Sequence, residues 1–309
     1  MTLSLSASDT QNPAETALGS LIEQFHSGQF HSGGRLRVWS LIITVFGDAI
    51  VPRGGRVGMA ALQDLTDRLG VAPGALRAAM SRLAKDGWVV RHRDGRKSYY
   101  SLAPDSAATF ADAGRRFYAS GPPGWDGDLT VAVTPERDAR DDDVLCGNGF
   151  VPLAAGIYLR PGPAPVSGST GTLSDALLLQ TVDGRIPGWV RAQLSSPDVA
   201  AAYRQVIASF APLDAALEGG AALSPLDAFA ARTLLVHDWR RIVLRDRDLP
   251  LNLRPDDWPG EAARSLVKGL YARLLSPSER FLNRCEAATG VRLAAADASL
   301  EARFAEGDG

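Results

Sequence analysis

The chain contains few of the residues that build disulfide frameworks, metal centres and catalytic sites. Its 309 residues include two cysteines and four histidines. Cys146 and Cys285 lie far apart and lack metal-ligand spacing, which argues against a disulfide framework and against a zinc site. The sequence also has no P-loop, nucleophile elbow or metal-binding motif. We therefore predict that the chain is not an enzyme and that it holds no metal and no cofactor.

Long apolar runs are missing as well, which argues against a signal peptide and against membrane spans. The first 30 residues have neither a basic start nor an apolar core, and the longest apolar stretch, residues 38–46, is too short to cross a bilayer. Residues 1–31 are rich in Ser, Thr, Gln and Ala, so we expect a flexible leader with at most a short helix over residues 18–25. The expected protein is soluble and cytoplasmic, without a membrane partner.

What the sequence does contain is a pair of helical patterns within residues 62–102. Leucines at helical spacing indicate a first helix that ends at Gly70, and a second helix begins at Pro73 and runs to Gly87. Apolar side chains of the second helix repeat on one face, and polar and cationic side chains repeat on the other. A polar face of this kind suits a DNA major groove. Its residues are Arg77, Ser81, Arg82 and Lys85.

A basic hairpin follows the second helix, with residues 94–95 (Asp-Gly) as the two-residue loop that type I′ turns favour. This loop predicts that Arg93 lies opposite Arg96. It also predicts that His92 lies opposite Lys97. Like charges across a ladder destabilise it unless an anion lies between them, so we expect the hairpin to contact a phosphate backbone. The predicted phosphate contacts are Arg91, Arg93, Arg96 and Lys97.

The distribution of charge supports a polyanionic partner. Residues 35–102 hold twelve arginine and lysine residues against five aspartates, although the whole chain has a net charge of −2. Such an asymmetry indicates that the basic segment binds a polyanion, while the acidic remainder keeps the chain soluble. One alternative is an ordinary core unit whose surface charges are solvated. Another is a non-catalytic module that uses the same hairpin for RNA or protein contact.

Three blocks of sequence resemble a known family. They are residues 40–62 (SLIITVFGDAIVPRGGRVGMAAL), residues 87–102 (GWVVRHRDGRKSYYSL) and residues 237–260 (HDWRRIVLRDRDLPLNLRPDDWPG). Together and in this order they resemble the phenylacetic acid degradation repressor family, with a match that extends over residues 35–284. Arg247 departs from the family, which usually has proline in this segment, and the departure bears on the shape of the local loop.

The resemblance implies an α+β fold with three domains behind the leader of residues 1–31. They are a winged helix-turn-helix domain with a linking helix over residues 32–120, a ferredoxin-like domain over residues 121–196 and a helical C-terminal regulatory domain over residues 197–309. Residue patterns agree with this order. They indicate strands over residues 129–134, 157–159 and 176–182, and helices over residues 106–118, 200–210, 225–244 and 259–275.

The resemblance also implies a ligand-responsive transcriptional repressor that binds double-stranded operator DNA as a homodimer. It implies control of aromatic acid catabolism, such as phenylacetate catabolism, and release from DNA by an aryl-acyl-CoA thioester such as phenylacetyl-CoA. Guanidinium groups near indole rings suit the phosphates and rings of such an effector. The residues predicted for this effector site are Trp239, Arg240, Arg241, Arg245 and Trp258.

A structural interpretation of the same cluster stays open. Arg241 and Arg245 lie one turn apart, and both precede two aspartates with which they can form ion pairs. These aspartates are Asp246 and Asp248. Such pairs would hold the end of the helix against its following loop.

A metal-dependent nuclease is a further alternative, because small CRISPR-associated nucleases also have a ferredoxin-like shape. Those nucleases place an acidic residue at the end of the first strand, where this chain has Thr134-Pro135. Glu136 is nearby, but it belongs to a first helical turn, where its commoner role is to stabilise the dipole. Residues 141–143 are three adjacent aspartates, which point in different directions on a helix and are typical of a solvated face.

Overall fold

The structure is a computed structural model that describes residues 12–28, 37–135, 139–163, 176–181 and 185–305. The chain divides into two units, each with its own internal contacts. The first comprises Met1–Ser120, Ala202–Leu244 and Glu261–Gly309, and the second comprises Gly121–Ala201 and Arg245–Gly260. Three domains were predicted instead. The difference arises because Pro225–Val243, a helix of the predicted C-terminal domain, packs against four helices of the N-terminal segment.

Helices and short antiparallel strands alternate along the described residues, which confirms the α+β class. The helices are α1 (Pro13–Ser27), α2 (Val38–Val45), α3 (Met59–Arg68), α4 (Pro73–Lys85), α5 (Ala107–Phe117), α6 (Ala139–Gly147), α7 (Gly188–Leu194), α8 (Pro197–Glu218), α9 (Pro225–Val243), α10 (Gly260–Leu282) and α11 (Ala298–Glu301). The strands are β1 (Arg56–Gly58), β2 (Val89–Asp94), β3 (Lys97–Leu102), β4 (Leu129–Val133), β5 (Val151–Ala154), β6 (Ile157–Pro161), β7 (Leu177–Thr181), β8 (Glu286–Ala288) and β9 (Val291–Arg292). Among the described residues, no helix is long and apolar enough to span a membrane.

The first helix corrects the prediction of a flexible leader. α1 begins at Pro13 behind Asn12, whose side chain accepts a hydrogen bond from the Ala14 backbone N–H at 3.0 Å. One face of α1 is buried. Its buried residues are Ala14, Leu18, Leu21 and Phe25, which follow helical spacing within a segment of polar composition. Residues 1–11 and 29–31 of the predicted leader lie outside the described residues.

α3 and α4 are the two helices that the sequence predicts within residues 62–102. α3 is followed by Gly70, whose φ of 69° is a left-handed conformation that glycine adopts readily. A Cβ at this position would lie 2.9 Å from His26 Nε2, so the turn also requires the absence of a side chain. α4 begins at Pro73 and packs its apolar face against α2 and α3. The buried residues of α4 are Leu76, Ala79, Met80 and Leu83.

The hairpin β2–β3 forms within a three-stranded sheet of order β1-β3-β2, but its predicted register is wrong. Asp94 pairs with Lys97, so the two-residue loop is Gly95-Arg96 rather than Asp94-Gly95. Gly95 has a φ of 58°, whereas Asp94 and Arg96 do not have positive φ. A positive φ at the first central residue alone is what a type II′ turn requires, whereas the predicted type I′ turn requires it at both.

The observed register removes the predicted like-charge pairs. Arg93 lies opposite Ser98. His92 lies opposite Tyr99. Arg96 lies in the loop and has no partner across the ladder. Repulsion between like charges on the two strands is therefore no longer an argument that the hairpin contacts phosphates. The remaining evidence is whether each cationic side chain is exposed and whether it forms an ion pair.

The second unit contains a four-stranded antiparallel sheet of order β5-β6-β4-β7. One face of the sheet packs against α7 and residues 249–253, and the other packs against Leu145 of α6. Side chains of β4 alternate between these layers, with Leu129 on the first face and Ala132 on the second. β5 was not predicted, because Pro152 in a run of four residues argues against a strand.

Candidate nucleic-acid interface

α4 presents its predicted polar face to solvent. The exposed residues of this face are Arg77, Ser81, Arg82 and Lys85. Arg82 forms an ion pair with Asp86 (Nε to Oδ2, 3.4 Å), and its guanidinium lies 5.6 Å from the centroid of the Trp39 ring. Both partners of this pair are largely exposed, so DNA can replace it at little cost. Among the described residues, Arg77 and Lys85 form no ion pair.

The cations of the hairpin differ in whether they form an ion pair. Lys97 Nζ lies 2.7 Å from Glu286 Oε2 on β8, and this hydrogen bond lowers the pKa of Glu286 and raises the pKa of Lys97. Arg91 is exposed and donates to a serine hydroxyl of β3 at 2.8 Å. Arg93 and Arg96 are also exposed, and no ion pair is formed with either of them in the described part of the chain. Glu286 therefore offsets one of the four charges predicted to contact phosphate.

A buried charge network centred on Asp48 was not predicted. Asp48 Oδ2 lies 2.7 Å from Arg232 Nε, and Asp48 Oδ1 lies 2.7 Å from a terminal nitrogen of Arg303. The hydroxyls of Tyr118 and Tyr271 also donate to Asp48. Burial raises the pKa of Asp48, but Arg232 and Arg303 outweigh this effect and hold the pKa below its ordinary value. The available signal was a single carboxylate within an apolar stretch, because such a group needs a cationic partner when it is buried.

The first part of the predicted effector site belongs to the core of the first unit. Trp239 is fully buried, and its indole N–H donates to a backbone carbonyl of α5 at 2.6 Å. This burial conflicts with the predicted stacking of an effector on Trp239, because the ring has no open face. Arg240 is partly buried and donates to Thr44 Oγ1 at 2.7 Å and to Ser40 O at 2.9 Å. Burial and the neighbouring Arg241 lower the pKa of Arg240 to about 10.

The second part of the predicted effector site lies in the other unit. Arg245 is exposed, and Trp258 lies under the guanidinium of Arg254, which is 4.3 Å from the ring centroid. Arg254 also donates to Asp246 Oδ1 at 2.8 Å. Arg254 is therefore the cation that stacks on Trp258, although it was not among the predicted residues. The five residues predicted for an effector are divided between the two units.

The structure covers only part of the segments that could support a metal-dependent nuclease. Glu136 lies outside the described residues, and Thr134 at the end of β4 is buried. Of the three adjacent aspartates on α6, Asp143 is exposed, and the side chains of the other two are not among those described. Within the described ranges, no group of three or more His, Cys, Asp or Glu residues is placed to hold a metal ion.

Comparisons with known proteins identify the family of the chain. Residues 37–106 match the family model of PaaX-like proteins, and residues 195–284 match that of the PaaX-like protein C-terminal domain. The transcriptional repressor PaaX of Escherichia coli is 31% identical over 261 residues, which cover 79% of this chain and 82% of that protein. An uncharacterised protein from Mycobacterium tuberculosis has a similar fold, with a TM-score of 0.52 at 20% identity over 78% of this chain and 97% of that one. The predicted resemblance is confirmed, and the chain belongs to the PaaX-like family, a family of transcriptional regulators rather than enzymes.

Proposed function

We propose that the chain represses transcription by binding operator DNA through a winged helix-turn-helix, formed by α2–α4 and the β1-β3-β2 sheet. In this arrangement α4 enters the major groove, and the β2–β3 hairpin contacts the flanking phosphates. The exposed cations of α4 and the hairpin are the main support. Arg77, Arg93 and Arg96 form no ion pair among the described residues, so each can bind DNA without breaking an internal contact.

The proposal includes a homodimer and a releasing effector. A two-fold dimer matches the palindromic operators that helix-turn-helix repressors read. The effector is an aryl-acyl-CoA thioester such as phenylacetyl-CoA, and the controlled pathway is phenylacetate catabolism, in keeping with the family. Release requires that the effector binds better to a conformation with low affinity for DNA, since a ligand shifts an equilibrium only by its differential affinity.

For the second unit we propose a ferredoxin-like fold. Its elements follow the chain order β4, α6, β5, β6, β7, and the sheet order β5-β6-β4-β7 places the first and third strands at the centre. This matches the split β-α-β arrangement of ferredoxin-like domains. The connection from β6 to β7, where that fold has its second helix, lies largely outside the described residues.

Fluorescence anisotropy with the full-length protein tests the function. The duplexes are the promoter of its own gene and a shuffled sequence of equal length, and a structured RNA serves as a third probe. A repressor should bind its operator roughly a thousandfold more tightly than the shuffled duplex. Saturating phenylacetyl-CoA should then weaken operator binding by about 5- to 150-fold, whereas coenzyme A alone should not. Equal affinity for all three nucleic acids would instead support a general interaction module.

A further inference from the structure

A cavity of about 760 Å³ in the first unit is not explained by the proposed DNA interface. Its walls come from α2 and the turn after it, α5, α9, the ends of the hairpin and residues 299–305. Apolar walls and a volume between roughly 300 and 1,000 Å³ are typical of small-molecule sites. The apolar lining includes Ile43, Trp88, Leu102, Phe110, Phe117 and Val236.

Arg240 supplies this wall with a cation that has only neutral partners. Its guanidinium donates to Thr44 Oγ1 at 2.7 Å and to Ser40 O and Oγ at 2.9 and 2.8 Å. No ion pair is formed with Arg240 among the described residues, whereas Arg303 on the same wall is paired with Asp48. A partly buried charge among neutral groups is costly, and the pKa of Arg240 is lowered accordingly by its burial. An oxygen acceptor on a ligand would offset this cost.

We propose that this cavity binds the apolar acyl group of an organic acid or of its thioester, with the acyl oxygen accepting a hydrogen bond from Arg240. The apolar walls enclose the ring or chain of the ligand, and the guanidinium fixes its polar end. Of the five residues predicted for the effector site, Arg240 is the one that lines this cavity. The regulatory meaning of the site rests on the proposed repressor function, whereas ligand binding itself does not require DNA.

Residues at both ends of the hairpin line the cavity, so a bound ligand can change the position of the hairpin that is proposed to contact DNA. Trp88 directly precedes β2, and Leu102 ends β3 opposite Val89. The Trp88 ring packs edge-on against Phe110 of α5, with ring centroids 6.0 Å apart and an interplanar angle of 70°. A ligand that displaces Phe110 therefore also displaces the base of the hairpin. The liganded protein then holds its hairpin differently from the empty one, which changes the fit to DNA.

Matched substitutions on α5 test the site. Ala113 is half-buried and lines the cavity, whereas Ala108 is exposed and does not. Ala113→Leu fills part of the cavity, and Ala108→Leu makes the same change on the solvent side. Calorimetric titration of the full-length protein without DNA uses phenylacetate, phenylacetyl-CoA and coenzyme A as probes. We expect Ala113→Leu to weaken binding of the acyl probe by about tenfold or more. Ala108→Leu should stay within about twofold of wild type.

Substitutions of Arg240 test the oxygen contact. Arg240→Gln removes the charge and should weaken binding by about tenfold, whereas Arg240→Lys keeps the charge and should lose less. A stronger signal from phenylacetate identifies the free acid as the ligand, and a stronger signal from phenylacetyl-CoA identifies the thioester. Thermal unfolding of each variant separates loss of the site from loss of the fold, and the two leucine variants test the cavity even if Arg240→Gln does not fold.

Three results would overturn the site: no binding of either acyl probe by the wild type, equal affinity of the two leucine variants, or coenzyme A binding as tightly as its thioester. Operator affinity is measured in parallel without ligand. A protein that binds the acyl probe in the cavity but no operator refutes the proposed function and keeps the site. A protein that binds its operator but neither acyl probe refutes the site alone.

Discussion

Replacing both Arg93 and Arg96 with alanine should weaken binding to all duplexes by a similar factor and flatten the salt dependence. Both side chains are exposed and form no ion pair among the described residues, so each substitution removes a phosphate contact without freeing an internal carboxylate. Each phosphate contact contributes about 0.9 to the slope of log affinity against log salt, so the slope should fall by about 1.8. Between about 50 and 200 mM salt, affinity of the wild type should therefore drop about twelvefold further than that of the variant.

Anisotropy titrations on operator and shuffled duplexes measure both slopes, and three further variants serve as controls. Lys97→Ala should change the slope by less than about 0.9, because Glu286 already offsets its charge. Glu286→Ala releases Lys97 and should tighten binding to both duplexes. Replacing Lys268 and Arg280, two exposed cations of α10, matches the charge change of the double variant and should leave the slope nearly unchanged. A double hairpin variant with the wild-type slope would show that the hairpin does not contact phosphates.

The other predictions concern base contacts, thiols and acid stability. Arg77→Ala should cost about 1 to 3 kcal/mol on the operator and much less on shuffled DNA, and equal losses in anisotropy would make Arg77 a phosphate contact. A thiol reagent at about pH 8 should react quickly with the exposed Cys146 and with Cys285 only after unfolding. The reason is that Cys285 is buried and that burial raises its pKa to about 11. Two rapidly reacting thiols in the folded protein would contradict this prediction. Asp48→Asn should lower the free energy of unfolding by about 3 to 5 kcal/mol at neutral pH, because two buried arginines lose their carboxylate. Urea titrations measure this difference in stability as a function of pH. Because the pKa of Asp48 is depressed in the folded state, its charge stabilises the fold at neutral pH, and the difference should shrink as the pH falls below about 4. A difference that stays constant with pH would show that the charge of Asp48 is not its cause.

Local sequence signals were sufficient for α3 and α4 and for the existence of the hairpin. Gly70 marks the end of α3 and Pro73 marks the start of α4, because the backbone conformations they favour do not depend on distant residues. The register of the hairpin was not determined locally. Asp94-Gly95 and Gly95-Arg96 are both possible two-residue loops, and the observed one brings Lys97 to Glu286, which lies 189 residues away. A contact over such a distance has no local signal.

The predicted effector site also depends on contacts between distant segments, which local sequence patterns do not reveal. An indole next to arginines suggested a ligand site, but burial decides whether the ring is open, and burial depends on which helices pack together. Trp239 is enclosed by Tyr203 of α8, with ring centroids 5.7 Å apart, and by the guanidinium of Arg264 on α10 at 5.4 Å. Helical periodicity predicts that α8, α9 and α10 each have an apolar face, but it does not say which faces meet. The cavity beside Arg240 likewise depends on segments that are distant in sequence.

Charge counted over a segment overstates the cationic surface, because distant carboxylates neutralise part of it. Among the described residues, three cations within residues 37–102 form ion pairs with acidic residues from the later part of the chain. These pairs are Arg53–Glu279, Arg68–Asp227 and Lys97–Glu286. The surplus that suggested a polyanionic partner is therefore smaller than the sequence indicates, and it is concentrated on side chains such as Arg77, Arg93 and Arg96. An interface built from a few unpaired cations makes a definite number of phosphate contacts, so the salt slope measures it more directly than the net charge of the segment does.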